Sequence, residues 1–114
     1  MSENAARRRL WQLHTRVSIH QGTPVLALEG RVGHAATAQL EAAAETLLAG
    51  APRVVIIDLS GIDYLSSAAL KVFKGLAEDQ DREGGRLILR APSVAARLAL
   101  ELSGLLELVD SLPG

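Results

Sequence analysis

The sequence contains no cysteine, and aromatic residues make up only 3% of its 114 residues. Without cysteine the chain has no disulfide, no thiol nucleophile and no cysteine-bound zinc or iron–sulfur cluster. Its single Phe, Trp and Tyr cannot build the aromatic surface on which proteins stack nucleic acid bases. Because 48% of the residues are nevertheless hydrophobic, the core must be aliphatic.

The chain also lacks an excess of positive charge and a long apolar run. Twelve Lys and Arg against thirteen Asp and Glu give a net charge of -1, so nucleic acid is not an expected partner. No stretch approaches the roughly 20 apolar residues of a membrane span, and the start, "MSENAARRRLWQLHTRV", has no signal-peptide core. We expect one cytoplasmic domain at 15–114, preceded by an N-terminal extension at 1–14.

The strand patterns begin with a β-hairpin. Apolar and polar residues alternate at 17–20, "QGTP" at 21–24 is typical of a turn, and 25–28 return as a second strand. "RVVIIDL" is β-branched and apolar, which is typical of a central strand covered on both faces. "RLILRAP" predicts a further strand, and "LLELV" predicts a short last one.

Three segments between and after these strands have helical spacing. The first runs from Thr37 to "GAP" at 50–52, and the second follows Ser66 and Ser67 and ends at Gly84. The third, capped by Ser93 and ended by Gly104, carries Val94, Leu98 and Leu102. The order predicts a small α/β domain with a mixed sheet, an N-terminal hairpin plus parallel strands, and helices packed against it.

Two adjacent serines, Ser66 and Ser67, lie at the predicted junction between a central strand and the second helix. Functional groups gather at this edge of α/β sheets, because the carboxyl ends of strands meet helix N-termini there. A serine at such a place can cap the helix, which stabilises it by roughly 1 kcal/mol. It can also carry a phosphate, which unpaired backbone N–H groups and the helix dipole would stabilise.

The segment "VVIIDLSGIDYLSSAAL" resembles the signature of the STAS domain, most specifically that of bacterial anti-sigma factor antagonists. In that family a strand ending in "DLSG" leads to Asp-Ser-Ser-Gly-Leu at a helix start. "LEGRVGHAATAQL" at 28–40 is similar to the family's link between its second strand and first helix. "GGRLILRAPSVAARLALELSGL" at 84–105 resembles its fourth strand and third helix.

The resemblance implies a binding protein that is not an enzyme and needs no cofactor. Its unphosphorylated form would bind an anti-sigma factor with a histidine-kinase-like ATPase fold, and would thereby release a sigma factor. That anti-sigma factor would also be the serine kinase that switches the protein off, and a phosphatase would be a further partner.

Carried over residue by residue, the resemblance makes Ser67 the phosphoacceptor. Ser66 then stands in place of the family's aspartate, Ala68 in place of its second serine and Ala69 in place of its glycine. Gly33 stands where an acidic residue is common. The negative charge that Ser66 lacks and the added methyl group of Ala69 should alter the surface that the kinase recognises. These departures predict slow phosphorylation.

The predicted partner surface is the start of the second helix together with the loop before it. It includes Ser66, Ser67 and Lys71 from the helix start. The preceding loop would contribute Asp63 and Tyr64, although a tyrosine in this position could equally belong to the core.

A second function from another class stays open. The chain could be a constitutive STAS scaffold, such as the small STAS subunit that supports lipid-transport ATPases, for which no phosphate switch is needed. The substitutions at Ser66, Ala68 and Ala69 favour this alternative.

Other sites are less well supported. Asp58 ends a strand as the phosphoacceptor of receiver domains does, but no acidic pair follows the first strand, so a turn-capping role is expected. A serine hydrolase would need Ser67 with a His and an Asp, and there is no Gly-x-Ser-x-Gly elbow. No nucleotide-binding Walker A loop is present. Metal binding is not expected from the spacing of the histidines at 14, 20 and 34, and the arginines at 7–9 are expected to form a solvated tail.

Overall fold

The computed structural model describes residues 12–109, which form four β-strands and three α-helices. In chain order these are β1 Leu13–His20, β2 Thr23–Val32, α1 Thr37–Leu48, β3 Val54–Leu65, α2 Ser67–Arg82, β4 Arg86–Arg90 and α3 Val94–Ser103. Short 3-10 turns cover His34–Ala36 and Leu106–Leu108. Within this part of the chain, no helix combines the length and apolar character that a bilayer crossing requires.

The sheet is mixed and has the order β1-β2-β3-β4. β1 pairs with β2 as an antiparallel hairpin, while β2 with β3 and β3 with β4 are parallel. The hairpin turns at Gln21 and Gly22, whose φ angles of 52° and 83° are left-handed. The predicted α/β class with a mixed sheet is therefore confirmed. The strands that are joined through helices are parallel, as crossover connections require.

One aliphatic core joins the strands to the helices. Alternate residues of the strands point into it, including the fully buried Leu26, Ile57 and Leu89. The helices meet them with a row of buried side chains from α1, α2 and α3, which includes Leu40, Leu47, Phe73, Ala96 and Leu100. Burying one large side chain of this kind stabilises the fold by about 1.5–3 kcal/mol, so this core holds the helices against the sheet.

The prediction that the central strand is covered on both faces is wrong. Ile56 and its neighbour Ile88 alternate with the core residues, are only partly buried, and lie outside the core cluster. The reason is topological, since successive right-handed crossovers in one direction put their helices on the same face of the sheet. Apolar residues remain on the open face because neighbouring strands shield them in part.

β3 is longer than the sequence pattern predicts. Beyond Asp58 it continues to Leu65 and stays paired with β2, with register shifts between Ala27 and Glu29 and between Gly30 and Arg31. Asp63 and Tyr64, predicted to lie in a loop, are therefore strand residues. The residues "SGID" are typical of a turn, but here they lie in an irregular strand, which accommodates an extra residue as a bulge.

Both ends of the described chain also differ from the prediction. β1 begins at Leu13, so the last two residues of the predicted extension belong to the sheet, while 1–11 lie outside the described residues. "LLELV" is not a strand. It forms a 3-10 turn and one isolated bridge between Val109 and Leu89.

The helix ends follow the local signals. Ser66 and Ser93 accept hydrogen bonds from Ala69 N and Ala96 N, and Gly104 ends α3 with a left-handed φ of 78°. The apolar residues whose spacing predicts α3 do not face the core, however. Val94, Leu98 and Leu102 are all more than half exposed.

Candidate functional site

Ser66 caps helix α2 and is buried. Its Oγ accepts a hydrogen bond from Ala69 N at 3.2 Å, and its own N–H donates to Val32 O at 2.9 Å. Only 7% of the residue is exposed. The second bond joins the helix start to the end of β2, so Ser66 fixes the position of α2 against the sheet. It offers little surface to a partner, although the sequence placed it there.

Ser67 is the first residue of α2 and is exposed. Within residues 12–109 its hydroxyl makes no hydrogen bond. Because the first four N–H groups of a helix have no intrahelical acceptor, and Ser66 occupies that of Ala69, the N–H groups of Ser67 and Ala68 remain available. The site thus presents a free hydroxyl beside two free donors.

The charges around the start of α2 favour an anion. Its first turn contains no acidic residue, so the positive end of the helix dipole is not neutralised locally. Lys71 is exposed and lies four residues after Ser67, on the same face of the helix. A phosphate on Ser67 would therefore meet favourable charge from the helix end and from the ammonium group.

A shallow groove of about 520 Å³ continues from this point between α1 and α2. Ala68 and Lys71 line its α2 side, and His34 and Thr37 line its α1 side. Thr37 Oγ1 donates to His34 O at 2.8 Å, which ties the 3-10 turn to the helix start. The sequence does not predict the α1 side of the groove, although the segment 28–40 that contains His34 and Thr37 carries part of the family resemblance.

Asp63 and Tyr64 lie at the same end of the sheet but do not share this groove. Asp63 is exposed and lines a cavity of about 660 Å³ with His14 and Glu29, in which these residues of three adjacent strands meet. Tyr64 is 43% exposed, so the alternative that it belongs to the core is wrong. The guanidinium carbon of Arg31 lies 4.9 Å from its ring centre, a cation–π contact.

The comparison with known families agrees with the arrangement of these elements. The family pattern described as "Mlab, STAS domain" matches residues 15–110, which is most of the chain. The chain belongs to the STAS domain family.

Relatives of this STAS domain are named as anti-sigma factor antagonists. BtrV of Bordetella bronchiseptica, assigned as an anti-sigma factor antagonist, is 33% identical over 87 residues, which cover 76% of this chain and 75% of BtrV. The anti-sigma-F factor antagonist RsfB of Mycobacterium tuberculosis is 34% identical over 62 residues, 54% of this chain and about half (51%) of RsfB. The crystal structure of an anti-sigma factor antagonist from Mycobacterium paratuberculosis superposes with a TM-score of 0.79 at 27% identity, covering 89% of this chain and 87% of that one.

The departures of this STAS domain from the family pattern differ in their structural consequences. Ala69 is fully buried in the core, so the expectation that its methyl group alters the kinase-facing surface is wrong. Ala68 is partly exposed beside Ser67, so this departure does lie at the protein surface. At Gly33, which has an ordinary φ of -78°, no described atom lies within 4 Å of an added Cβ, so an acidic side chain would have room.

The carboxylate of Asp58 in this STAS domain is held by Ser60 and Arg90. Its Oδ1 accepts from Ser60 N at 2.9 Å and its Oδ2 lies 3.4 Å from Arg90. Because β3 continues past Asp58, the expectation that this carboxylate caps a turn is wrong. Partial burial raises the pKa of Asp58, but the hydrogen bonds from Ser60 and Arg90 outweigh it, and the net pKa lies below its ordinary value. A carboxylate held in this way stabilises the end of the β3 and β4 pairing.

Proposed function

We propose that this STAS domain protein is an anti-sigma factor antagonist that is switched off by phosphorylation of Ser67. In the unphosphorylated form it binds, in the cytoplasm, an anti-sigma factor with a histidine-kinase-like ATPase fold and thereby releases a sigma factor. That partner is also the kinase, and a phosphatase restores the binding form. The proposed role is therefore binding, without catalysis by this chain.

The observation that carries the proposal is the difference in burial and hydrogen bonding between the two serines. Ser66 is buried and occupied as the cap of α2, while Ser67 is exposed, unbonded and next to free N–H donors. Adding a phosphate at Ser67 leaves the cap intact, so it would not unfold the helix. It adds a charge of about -1.5 to -2 to the exposed helix start, and this charge weakens binding to a partner that docks there.

The names of the relatives support the same role, since BtrV and RsfB are both assigned as antagonists of anti-sigma factors. The partner surface that we propose consists of Ser67 and Lys71 with the adjoining groove along α1 and α2. Asp63 and Tyr64 would contact the partner only if it also reaches around the end of β3.

The first experiment identifies the partner and the switch together. Purified wild-type protein, Ser67→Asp and Ser67→Asn are used as baits in a lysate of the native host, and the captured proteins are identified by mass spectrometry. The wild type and Ser67→Asn should capture an ATPase of the histidine-kinase-like class, whereas Ser67→Asp should capture less of it. Asn is the matched control, because it has the size of Asp without the charge.

The captured kinase is then purified and incubated with ATP and each variant. Intact mass and peptide mapping should show one added phosphate on the wild type, at Ser67, and none on Ser67→Asp or Ser67→Asn. Calorimetry should show that Ser67→Asp binds at least tenfold more weakly than Ser67→Asn, about 1.4 kcal/mol. Phosphate on another residue, or equal affinity of the two variants, contradicts the switch.

A constitutive STAS scaffold is the second candidate, and two observations favour it. The matching family pattern carries the description "Mlab, STAS domain", and Ala68 lacks the hydroxyl of the family's second serine. In this case the baits should capture a transporter ATPase instead, and the charge at position 67 should not change the amount captured.

A further inference from the structure

Helix α3 carries a row of exposed apolar side chains on the side away from the core. Val94, Leu98 and Leu102 are 89%, 57% and 80% exposed. They are spaced by four residues and therefore lie one above the other on the helix surface. The opposite side of α3 is buried through Ala96 and Leu100. The helix thus has an apolar inner face and an apolar outer face.

Such a row differs from the isolated apolar residues that any protein surface contains. Single exposed leucines are ordinary, whereas contiguous apolar patches mark interaction sites. Arg97 and Glu101 are the only charged residues of α3. A helix face of this composition is poorly suited to remain in water.

The two charges lie along one flank of the apolar row. At 100° per residue, Arg97 and Glu101 both fall on the same side of Leu98, while the small residues Ala95 and Ala99 fall on the other side. Both charged residues are exposed, and within residues 12–109 no ion pair joins either of them to a neighbour. Their order, with the cation before the anion, is also the less favourable one for a pair within a helix.

We propose that the outer face of α3 is a homodimer interface, in which two α3 helices pack antiparallel about a two-fold axis next to Leu98. Leu98 then meets Leu98 of the partner subunit, and Val94 meets Leu102 of the partner subunit. The alanines on one flank allow the helices to approach closely. This proposal goes beyond the proposed function, and self-association requires neither a kinase nor a phosphate.

The charge pattern selects a second copy in the antiparallel orientation. A two-fold axis perpendicular to both helices brings equivalent flanks together, so each Arg97 faces Glu101 of the partner subunit. With a rise of 1.5 Å per residue, these residues lie within about 3 Å of the same height, which is well within side-chain reach. In a parallel pair the charged flank would instead face the alanines.

The interface is small, and the association should be weak. A ten-residue helix is about 15 Å long, so the contact buries less than the roughly 1,200 Å² of standard complexes. We expect a dissociation constant of about 100 µM, which corresponds to a weak complex.

Sedimentation velocity of the full chain, from about 10 µM to about 1 mM, tests the apolar row. The wild type should shift from monomer to dimer, and Leu98→Glu should remain monomeric at every concentration. Ile19→Glu is the matched control, because Ile19 is 71% exposed on β1, outside the row, and this variant should dimerise like the wild type. Circular dichroism confirms that each variant is folded.

A charge exchange tests the orientation. Arg97→Glu and Glu101→Arg should each weaken self-association at least tenfold, because each homodimer then contains two like-charge contacts. Mixed in equal amounts, the two variants should associate to within about threefold of the wild type, since both contacts in the heterodimer are again of opposite sign. Two charges that act only within one helix could not give this recovery.

Several results would overturn the proposal. The interface is contradicted if the wild type stays monomeric up to about 1 mM or if Leu98→Glu dimerises. The antiparallel orientation is contradicted if the mixture of the two charge variants does not recover self-association. If the wild type is monomeric and Leu98→Glu reduces capture of the anti-sigma partner, the apolar row binds that partner instead of a second copy of this chain. Loss of dimerisation leaves the phosphate switch at Ser67 unaffected, so the two proposals fail independently.

Discussion

Replacing the two adjacent serines one at a time should have very different effects on stability. Ser66→Ala removes the oxygen that accepts from Ala69 N, and Ala69 is fully buried, so water cannot replace the lost acceptor. Ser67→Ala removes an exposed hydroxyl that makes no hydrogen bond within residues 12–109. The first change should therefore destabilise the fold, and the second should not.

The expected magnitudes separate the two serines clearly. Loss of a serine cap costs about 1 kcal/mol, and an unsatisfied buried N–H raises this towards about 2 kcal/mol. For a domain of this size, that lowers Tm by roughly 4–8 °C. A surface substitution without such a role stays within about 0.5 kcal/mol, so Ser67→Ala should shift Tm by less than about 2 °C.

Thermal and urea unfolding of both variants, followed by circular dichroism, gives the comparison. Ser93→Ala serves as a reference, because Ser93 caps α3 through Ala96 N and also donates to Ile62 O at 2.5 Å. Its loss should cost at least as much as that of Ser66. If Ser67→Ala proves as destabilising as Ser66→Ala, the assignment of the cap is wrong, and so is the argument that Ser67 is free for modification.

Three further predictions concern positions away from the acceptor. Ala69→Gly should destabilise the protein by about 1–2 kcal/mol in urea unfolding, because it removes a buried methyl group from a helix; a gain in stability would contradict the burial of this residue. The contribution of Asp58 to the free energy of unfolding should be present above its ordinary pKa of 3.8 and should fade as the pH drops below that value, because its folded pKa is lowered; Asp58→Asn should lack this part of the pH dependence, and identical acid unfolding curves would refute it. Gly30→Ala should cost about 2 kcal/mol or more by thermal unfolding, since Gly30 has a φ of 104° and an added Cβ would collide with Gln12 O; a wild-type Tm would refute the strain.

The candidate site was predictable where its determinants are close together in the sequence. A cap is a side-chain oxygen that accepts a hydrogen bond from the N–H group three residues later, so the sequence is enough to predict the helix start at Ser66. The position of Asp63 could not, because the register shifts between β2 and β3 decide which face of the sheet it joins. The α1 side of the groove was missed for a similar reason, since His34 and Lys71 are brought together only by helix packing.

Apart from the last strand predicted at 105–109, the order of strands and helices, the mixed sheet and the ends of the helices follow from the sequence alone, because periodicity, turns and caps act over a few residues. Tertiary structure decided which sides of those elements are buried. Spacing by four in Val94, Leu98 and Leu102 indicates a helix, yet α3 packs through Ala96 and Leu100. Packing depends on which surfaces meet across the whole domain, so residues of equal hydrophobicity become core on one side of a helix and exposed surface on the other.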